Sequence, residues 1–218
     1  MAAYDGVLFD HDGVLVTLCG KPALHEATAD AFRDAGISDP RREDLRALAI
    51  RVSDAELRAV ADRHGVDPDR LWHHRETRIE ELLRAETTAG RKFIYDDVHA
   101  LDRLDLPLGV VSNNQARIVE FVLDHHGLAD HFETVRARDP TRDSLRRKKP
   151  DPLYLEQATA DLGCQNPLYV GDSESDIRAG KRADYDVAFL RREHNADRTL
   201  DATPTYDVES LTAVRELV

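Results

Sequence analysis

The sequence predicts an α/β fold in which a doubly wound parallel sheet is interrupted, after its first strand, by a helical insert. Short apolar runs that end in polar or charged loops recur along the chain. Helical patterns separate them, and from about Thr17 to Ile94 no strand pattern occurs. Strands alternating with helices read as βαβ units, which build parallel sheets.

The first run, Gly6 to Phe9 (GVLF), is apolar throughout and leads into Asp10-His11-Asp12-Gly13. A strand buried on both faces has this continuous pattern, and carboxylates at its end face a crevice and not the core. Similar runs lie at Leu108 to Val111, Thr134 to Ala137, Leu168 to Val170 and Val187 to Leu190. Residues 1–16 and 95–218 are therefore assigned to a Rossmann-like core, and residues 17–94 to a helical cap domain. Within the cap, Leu45, Leu48, Ala49 and Val52 form one apolar stripe, and Leu57, Val60 and Ala61 another. Asp67-Pro68 is a helix N-cap and first-turn pair, opening a helix through Trp72, Ile79, Leu82 and Leu83 that closes near Gly90. The run Arg136 to Pro152 reads as a charged loop of the core. A chain of 218 residues suits one such domain with an insertion.

Composition narrows the function. Hydrophobic residues make up 41% and charged residues 33%, in periodic segments, so a disordered chain is not expected. No stretch of about 18 apolar residues occurs, which argues against a membrane span, and the N-terminus carries no secretory pattern. Cys19 and Cys164 lie far apart, so neither a disulfide framework nor a paired-cysteine zinc site is encoded, and a cytoplasmic setting fits. The formal net charge of -12 repels nucleic acid. Lys occurs only at positions 21, 92, 148, 149 and 181, the other cations being Arg. Excess carboxylate with scarce Lys resembles the composition of proteins from salt-loving archaea, in which salt screens the self-repulsion.

If the sheet is parallel, its strand ends deliver their loops to one edge. Asp10 and Asp12 flank His11 at the first; one carboxylate can attack while its neighbour handles protons. On extended backbone His11 alternates away from both and reads as packing or surface. Carboxylate attack on a phosphate monoester brings like charges together, so a cation must neutralise them, and magnesium takes oxygen ligands. Tyr169 to Asp176 runs from a strand into an acidic turn that supplies such ligands, with Asp172 and Asp176 spaced for one helix face. Ser112 and Asn113, in Val110 to Asn114, offer a hydroxyl and amide donors for phosphate. Lys149, or second to it Lys148, precedes Pro150-Asp151-Pro152 and supplies a compact positive charge.

Together FDHDGVL (Phe9 to Leu15), VVSNN (Val110 to Asn114), KKPDP (Lys148 to Pro152) and VGDSESD (Val170 to Asp176) resemble the ordered motifs of the haloacid dehalogenase-like superfamily. The similarity is greatest to the branch containing phosphoglycolate phosphatase and β-phosphoglucomutase. It implies an aspartyl-phosphate formed on Asp10, with Asp12 protonating the leaving oxygen and then activating water. It implies that Ser112 and Lys149, with Asn113 beside them, hold phosphoryl oxygens. Asp10, the Asp12 carbonyl and Asp172 would ligate Mg2+, and Asp176 would act through water or as an outer partner. The expected substrate is a small phosphorylated metabolite of the phosphoglycolate or sugar phosphate class, since the cap can close over Asp10. The expected assembly is a monomer or weak homodimer.

Many relatives read DGTLVDS where this chain reads Asp12 to Leu18 without the later Asp and Ser. A dehalogenase would need neither Asp12 nor Asp172. A phosphonate hydrolase would need a cap Lys, for which only Lys21 and Lys92 exist. A phosphomutase shares all the motifs, and a non-catalytic binding protein of the same fold is the other alternative. His73-His74 and His125-His126 read as helix surface, because adjacent helical residues point about 100° apart. Trp72 and Cys164 read as core, and Cys19 and Lys21 as hinge.

The charge pattern sets a first test. If the acidic surface is a salt adaptation, thermal unfolding followed by circular dichroism shows the melting temperature rising steeply from dilute buffer to molar KCl. A melting temperature unchanged over that range identifies an ordinary acidic protein.

Overall fold

The computed structural model describes residues 4–218. Two compact units emerge, one comprising Met1–Leu18, Phe93–Arg138 and Arg147–Val218, the other Cys19–Lys92 with Asp139–Arg146.

The first unit is built on strands β1 (Gly6–Phe9), β2 (Leu108–Gln115), β3 (Thr134–Arg138), β4 (Pro167–Gly171), β5 (Val187–Leu190) and β6 (Tyr206–Val208). All pairings are parallel, in the order β3-β2-β1-β4-β5-β6. From β1 the chain first adds strands on one side and then crosses to add β4 on the other. The ends of β1 and β4 thus flank the switch point, where an α/β sheet opens a crevice. Phe9 pairs with Val110 on β2 and with Val170 on β4, so β4 ends level with Asp10 while β2 runs on past it.

Burial explains the central strands, since Val7, Leu8, Phe9, Leu168, Tyr169 and Val170 are all fully enclosed. Strand β6, a half-exposed edge of sequence YDV, lacks that signal and was not expected. Strand β2 extends beyond the predicted Val111 to Gln115, with a register shift between Ser112 and Gln115.

The second unit is helical: α1 (Lys21–Asp34), α2 (Arg42–Ala49), α3 (Asp54–His64) and α4 (Pro68–Thr88). Its core gathers Phe32, Leu48, Val52, Leu57, Val60, Ala61, Leu71 and Trp72, so the predicted stripes do face inward. Ser53 and Glu56 form a reciprocal capping box on α3, and Asp67 caps α4 by accepting from the Arg70 N–H at 2.8 Å. The segment Asp139–Arg146, counted from sequence with the sheet domain, belongs to this unit. Leu145 enters its core, and Arg142 pairs with Asp54 at 2.9 Å and Asp69 at 2.8 Å. A single leucine in a charged run carries no periodic signal.

Helices α5 (Ala116–His125), α6 (Leu153–Leu162), α7 (Glu174–Arg182) and α8 (Leu211–Arg215) complete the first unit. Tyr154, Leu155 and Ala158 of α6 and Ile177 and Ala179 of α7 pack with Leu8, Val111, Tyr169, Val187 and Phe189 of the sheet. The α7 packing anchors the acidic turn after β4. Of the tempting residues, His125 is exposed and His126 half-buried, and Cys164 is half-buried with its thiol toward the Asp5 carbonyl at 3.2 Å, not in the core.

Candidate active site

Asp10 continues β1 by one residue, its N–H donating to the Val170 carbonyl at 2.8 Å. Asp172 leaves β4, and Asp176 sits in the first turn of α7. These three carboxylates each offer an oxygen within 4.8 Å of the others and all three are buried. Packed so closely, their charges repel unless compensated.

Lys149 supplies the compensation. Its Nζ lies 3.0 Å from Asp10 Oδ1 and 2.7 Å from Asp176 Oδ1, and donates to the Val111 carbonyl at 3.0 Å and the Tyr169 hydroxyl at 2.7 Å. The Tyr169 hydroxyl donates in turn to Asp176 Oδ1 at 2.8 Å. Lys148 is only half-buried, so Lys149 is the lysine that enters the site. Although burial would lower its pKa, the carboxylates of Asp10 and Asp176 hold it above the ordinary value.

The acids divide by environment. Burial raises Asp10 well above the usual carboxylate range against the pull of Lys149, and Asp176 and Asp172 add to the rise. Burial likewise raises Asp172, opposed by its hydrogen bond to His194. Asp176 is lowered in spite of burial, because Lys149, Ser173 and Tyr169 all favour its ionised form. Its Oδ2 accepts from the Ser173 N–H at 3.0 Å and the Ser173 hydroxyl at 2.5 Å.

Two glycines make room for this packing. Gly13 has φ +85, and a Cβ there would strike the Asp172 carboxylate; at Gly171 it would strike Asp176. Gly13 therefore meets both a conformational and a steric demand that other residues fail.

Asp12 is half-exposed, and its Oδ2 accepts from Asn114 Nδ2 at 3.0 Å. His11 is packed inside, one of its two expected places, but not by strand alternation. The backbone turns at this point, with Leu15 and Val16 N–H groups both donating to the His11 carbonyl. The ring is fully buried with Nδ1 3.4 Å from Asp12 Oδ2, so alternation on an extended segment does not apply.

Ser112 is buried, and its hydroxyl accepts from the Asn114 N–H at 3.1 Å. The Asn113 side chain clamps the Lys149 main chain: Nδ2 donates to its carbonyl at 3.1 Å, and Oδ1 accepts its N–H at 2.7 Å. Sequence reasoning counted Asn113 among the phosphate binders through its main-chain N–H; the structure adds that its side-chain amide anchors Lys149. Sequence reasoning overlooked Asn114, Tyr169, His194 and Asn195. Only Asn114 had a signal, since it completes the VVSNN motif.

A haloacid dehalogenase-like hydrolase family model matches residues 7–190. A phosphoglycolate phosphatase of Shigella flexneri is 32% identical over 217 residues, covering 90% of this chain and 84% of the relative. One from Nitrosococcus oceani is 27% identical over 222 residues, covering 97% and 95%. In architecture the chain is similar to the crystal structure of a putative phosphoglycolate phosphatase from Lactobacillus plantarum, with TM-score 0.72, 19% identity and 100% coverage of both chains.

The pKa directions predict an unusual pH response. Asp10 and Asp172 retain protons on the folded chain at pH values where an unfolded Asp, with pKa about 3.9, has lost them. The folded state then binds more protons than the unfolded one, so these groups contribute stability at low pH that is lost as pH rises through their folded values. Asp176, shifted downward, opposes this only below about pH 5. In divalent-free buffer of constant ionic strength, the melting temperature of the wild type relative to that of Asp10→Asn rises as pH is lowered toward the unfolded carboxylate value of about 3.9. A difference between the two that falls as pH is lowered contradicts the assignment.

Proposed function

Because the chain belongs to the haloacid dehalogenase-like hydrolase family, we propose that it is a magnesium-dependent phosphatase that uses Asp10 as nucleophile on small phosphate monoesters. The observation that carries this reading is one buried ammonium, Lys149, serving Asp10 and Asp176 beside Asp172 at the switch point of the sheet.

The donor set fits the metal. The three clustered acids offer only hard oxygen ligands, and one ammonium leaves them with excess negative charge. Asp10 and Asp172 would hold Mg2+ with the Asp12 main-chain carbonyl, while Asp176, already committed to Lys149, Ser173 and Tyr169, would act as an outer partner. When bound, the cation supplies positive charge that lets an anionic nucleophile approach an anionic ester.

An Asp10 carboxylate oxygen bonds to phosphorus as the ester P–O bond breaks, and Asp12 passes its proton to the departing oxygen. Asp12 then accepts a proton from water, whose oxygen bonds to the same phosphorus as the Asp10 oxygen leaves. The Asn114 amide holds the Asp12 carboxylate for both transfers. Ser112 and Lys149 hold the phosphoryl oxygens, and Asn113 fixes the lysine from its main chain.

Of the phosphoglycolate and sugar phosphate classes, the similarity to phosphoglycolate phosphatases favours the first. The charge of -12 disfavours nucleic acid. Among the described residues no helix is long and apolar enough to cross a membrane. The two widely separated cysteines favour a cytoplasmic setting, and the expected assembly is a monomer or weak homodimer.

Two substitutions test the mechanism. Asp10→Asn abolishes hydrolysis of p-nitrophenyl phosphate with the circular dichroism spectrum preserved, and Asp12→Asn lowers the rate by ~10² to 10⁴. Near-wild-type turnover in either variant refutes the assigned roles.

A further inference from the structure

Asp172 is the acid of the cluster that a different element holds. Strand β5 is followed by a short 3-10 turn, Glu193–Asn195. From it His194 Nε2 reaches Asp172 Oδ2 at 2.5 Å. The adjacent Asn195, 2% exposed, donates from Nδ2 to the Asp172 carbonyl at 2.9 Å and to the Leu190 carbonyl at 3.1 Å. Its Oδ1 accepts the Arg192 N–H at 2.7 Å, closing the turn on itself. Arg191 Nη1 then donates to the carbonyls of Asn195 at 3.2 Å and Arg198 at 2.9 Å. On another side stands Gly13, where an added Cβ would meet the Asp172 carboxylate and lie 3.2 Å from His194 Cε1. The contact between imidazole and carboxylate is thus built into a braced turn.

Asp172 must be ionised to ligate a cation, and in that state its Oδ2 accepts from the imidazole Nε2–H, leaving Oδ1 as the oxygen best placed to take the cation. Mg2+ needs only one oxygen from each carboxylate, because it demands six ligands in near-ideal octahedral geometry. Ca2+ takes six to eight, and can gather the extra ones by binding a carboxylate through both oxygens. An oxygen already spent on His194 therefore costs Ca2+ more than Mg2+. We propose that His194 is a positioning residue that confines Asp172 to single-oxygen coordination and so sets the preference of the site for Mg2+ over Ca2+. This rests on the reading of Asp10 and Asp172 as cation ligands, and adds to it what selects the cation.

The test uses the full chain, stripped with EDTA and dialysed, titrated calorimetrically with MgCl2 and with CaCl2 at one pH and ionic strength. His194→Ala lowers the ratio of the Ca2+ to the Mg2+ dissociation constant by about tenfold, the low end of the affinity changes that removing an outer partner of a metal ligand brings. His194→Leu, which keeps bulk but cannot donate, gives the same drop and serves where the alanine variant does not fold. His194→Gln, which can still donate, retains the wild-type ratio. A ratio unchanged in the alanine and leucine variants, or both cations weakened in parallel, overturns the proposal while the magnesium reading stands. A glutamine variant that shifts as far as the alanine one also overturns it. Wild-type protein that takes up neither cation overturns the magnesium reading, and this inference with it.

Discussion

The structure turns on a single buried ammonium. Three carboxylates within 4.8 Å of one another would be untenable inside a protein without compensation, and Lys149 provides it from 3.0 Å and 2.7 Å of two of them. Much of the surrounding detail serves to hold that lysine. Asn113 grips its main chain, the Val111 carbonyl and Tyr169 hydroxyl lie within hydrogen-bond distance of its Nζ, and Gly171 leaves room for Asp176 beside it. One lysine against three acids leaves two carboxyl groups short of a cation, which is why burial raises the pKa of Asp10 and Asp172 and why the cluster could hold a metal.

The sheet makes this arrangement possible. Asp10 and Asp172 follow adjacent parallel strands that run level with each other, so residues far apart in sequence begin their loops at the same height. Because β1 and β4 border the point where strand order reverses, no crossover covers their ends. Buried Tyr169 then links the core to the chemistry: its ring packs between sheet and helices, and its hydroxyl reaches both Lys149 and Asp176.

What could be read from the sequence follows from how each feature is encoded. Strands β1 and β4 announce themselves through continuous apolar runs, and their terminal acids stand out because charge at the end of such a run has no packing role. The α4 cap was visible in Asp67-Pro68 for a similarly local reason. Strand β6, three residues at an edge, has no such contrast, and Leu145 gave no hint that Asp139–Arg146 joins the helical unit. His194, Tyr169 and Asn114 act through partners 22, 7 and 102 residues away, and a lone side chain does not declare which residue the topology will bring to it. The clamp of the Asn113 side chain on the Lys149 main chain was not legible either, since residue type alone does not say which neighbour an amide will face.

The most direct test of the account is where the phosphoryl group goes. p-Nitrophenyl phosphate has a leaving group that departs without a proton, so an Asp12→Asn chain can complete the first step and stall before the second. Acid-quenched protein, digested and analysed by peptide mass spectrometry, is predicted to carry one phosphoryl group on the peptide containing Asp10, in step with a stoichiometric burst of nitrophenol. A phosphoryl group on any other residue, or nitrophenol released with no phosphoryl group bound to the protein, would contradict the central claim.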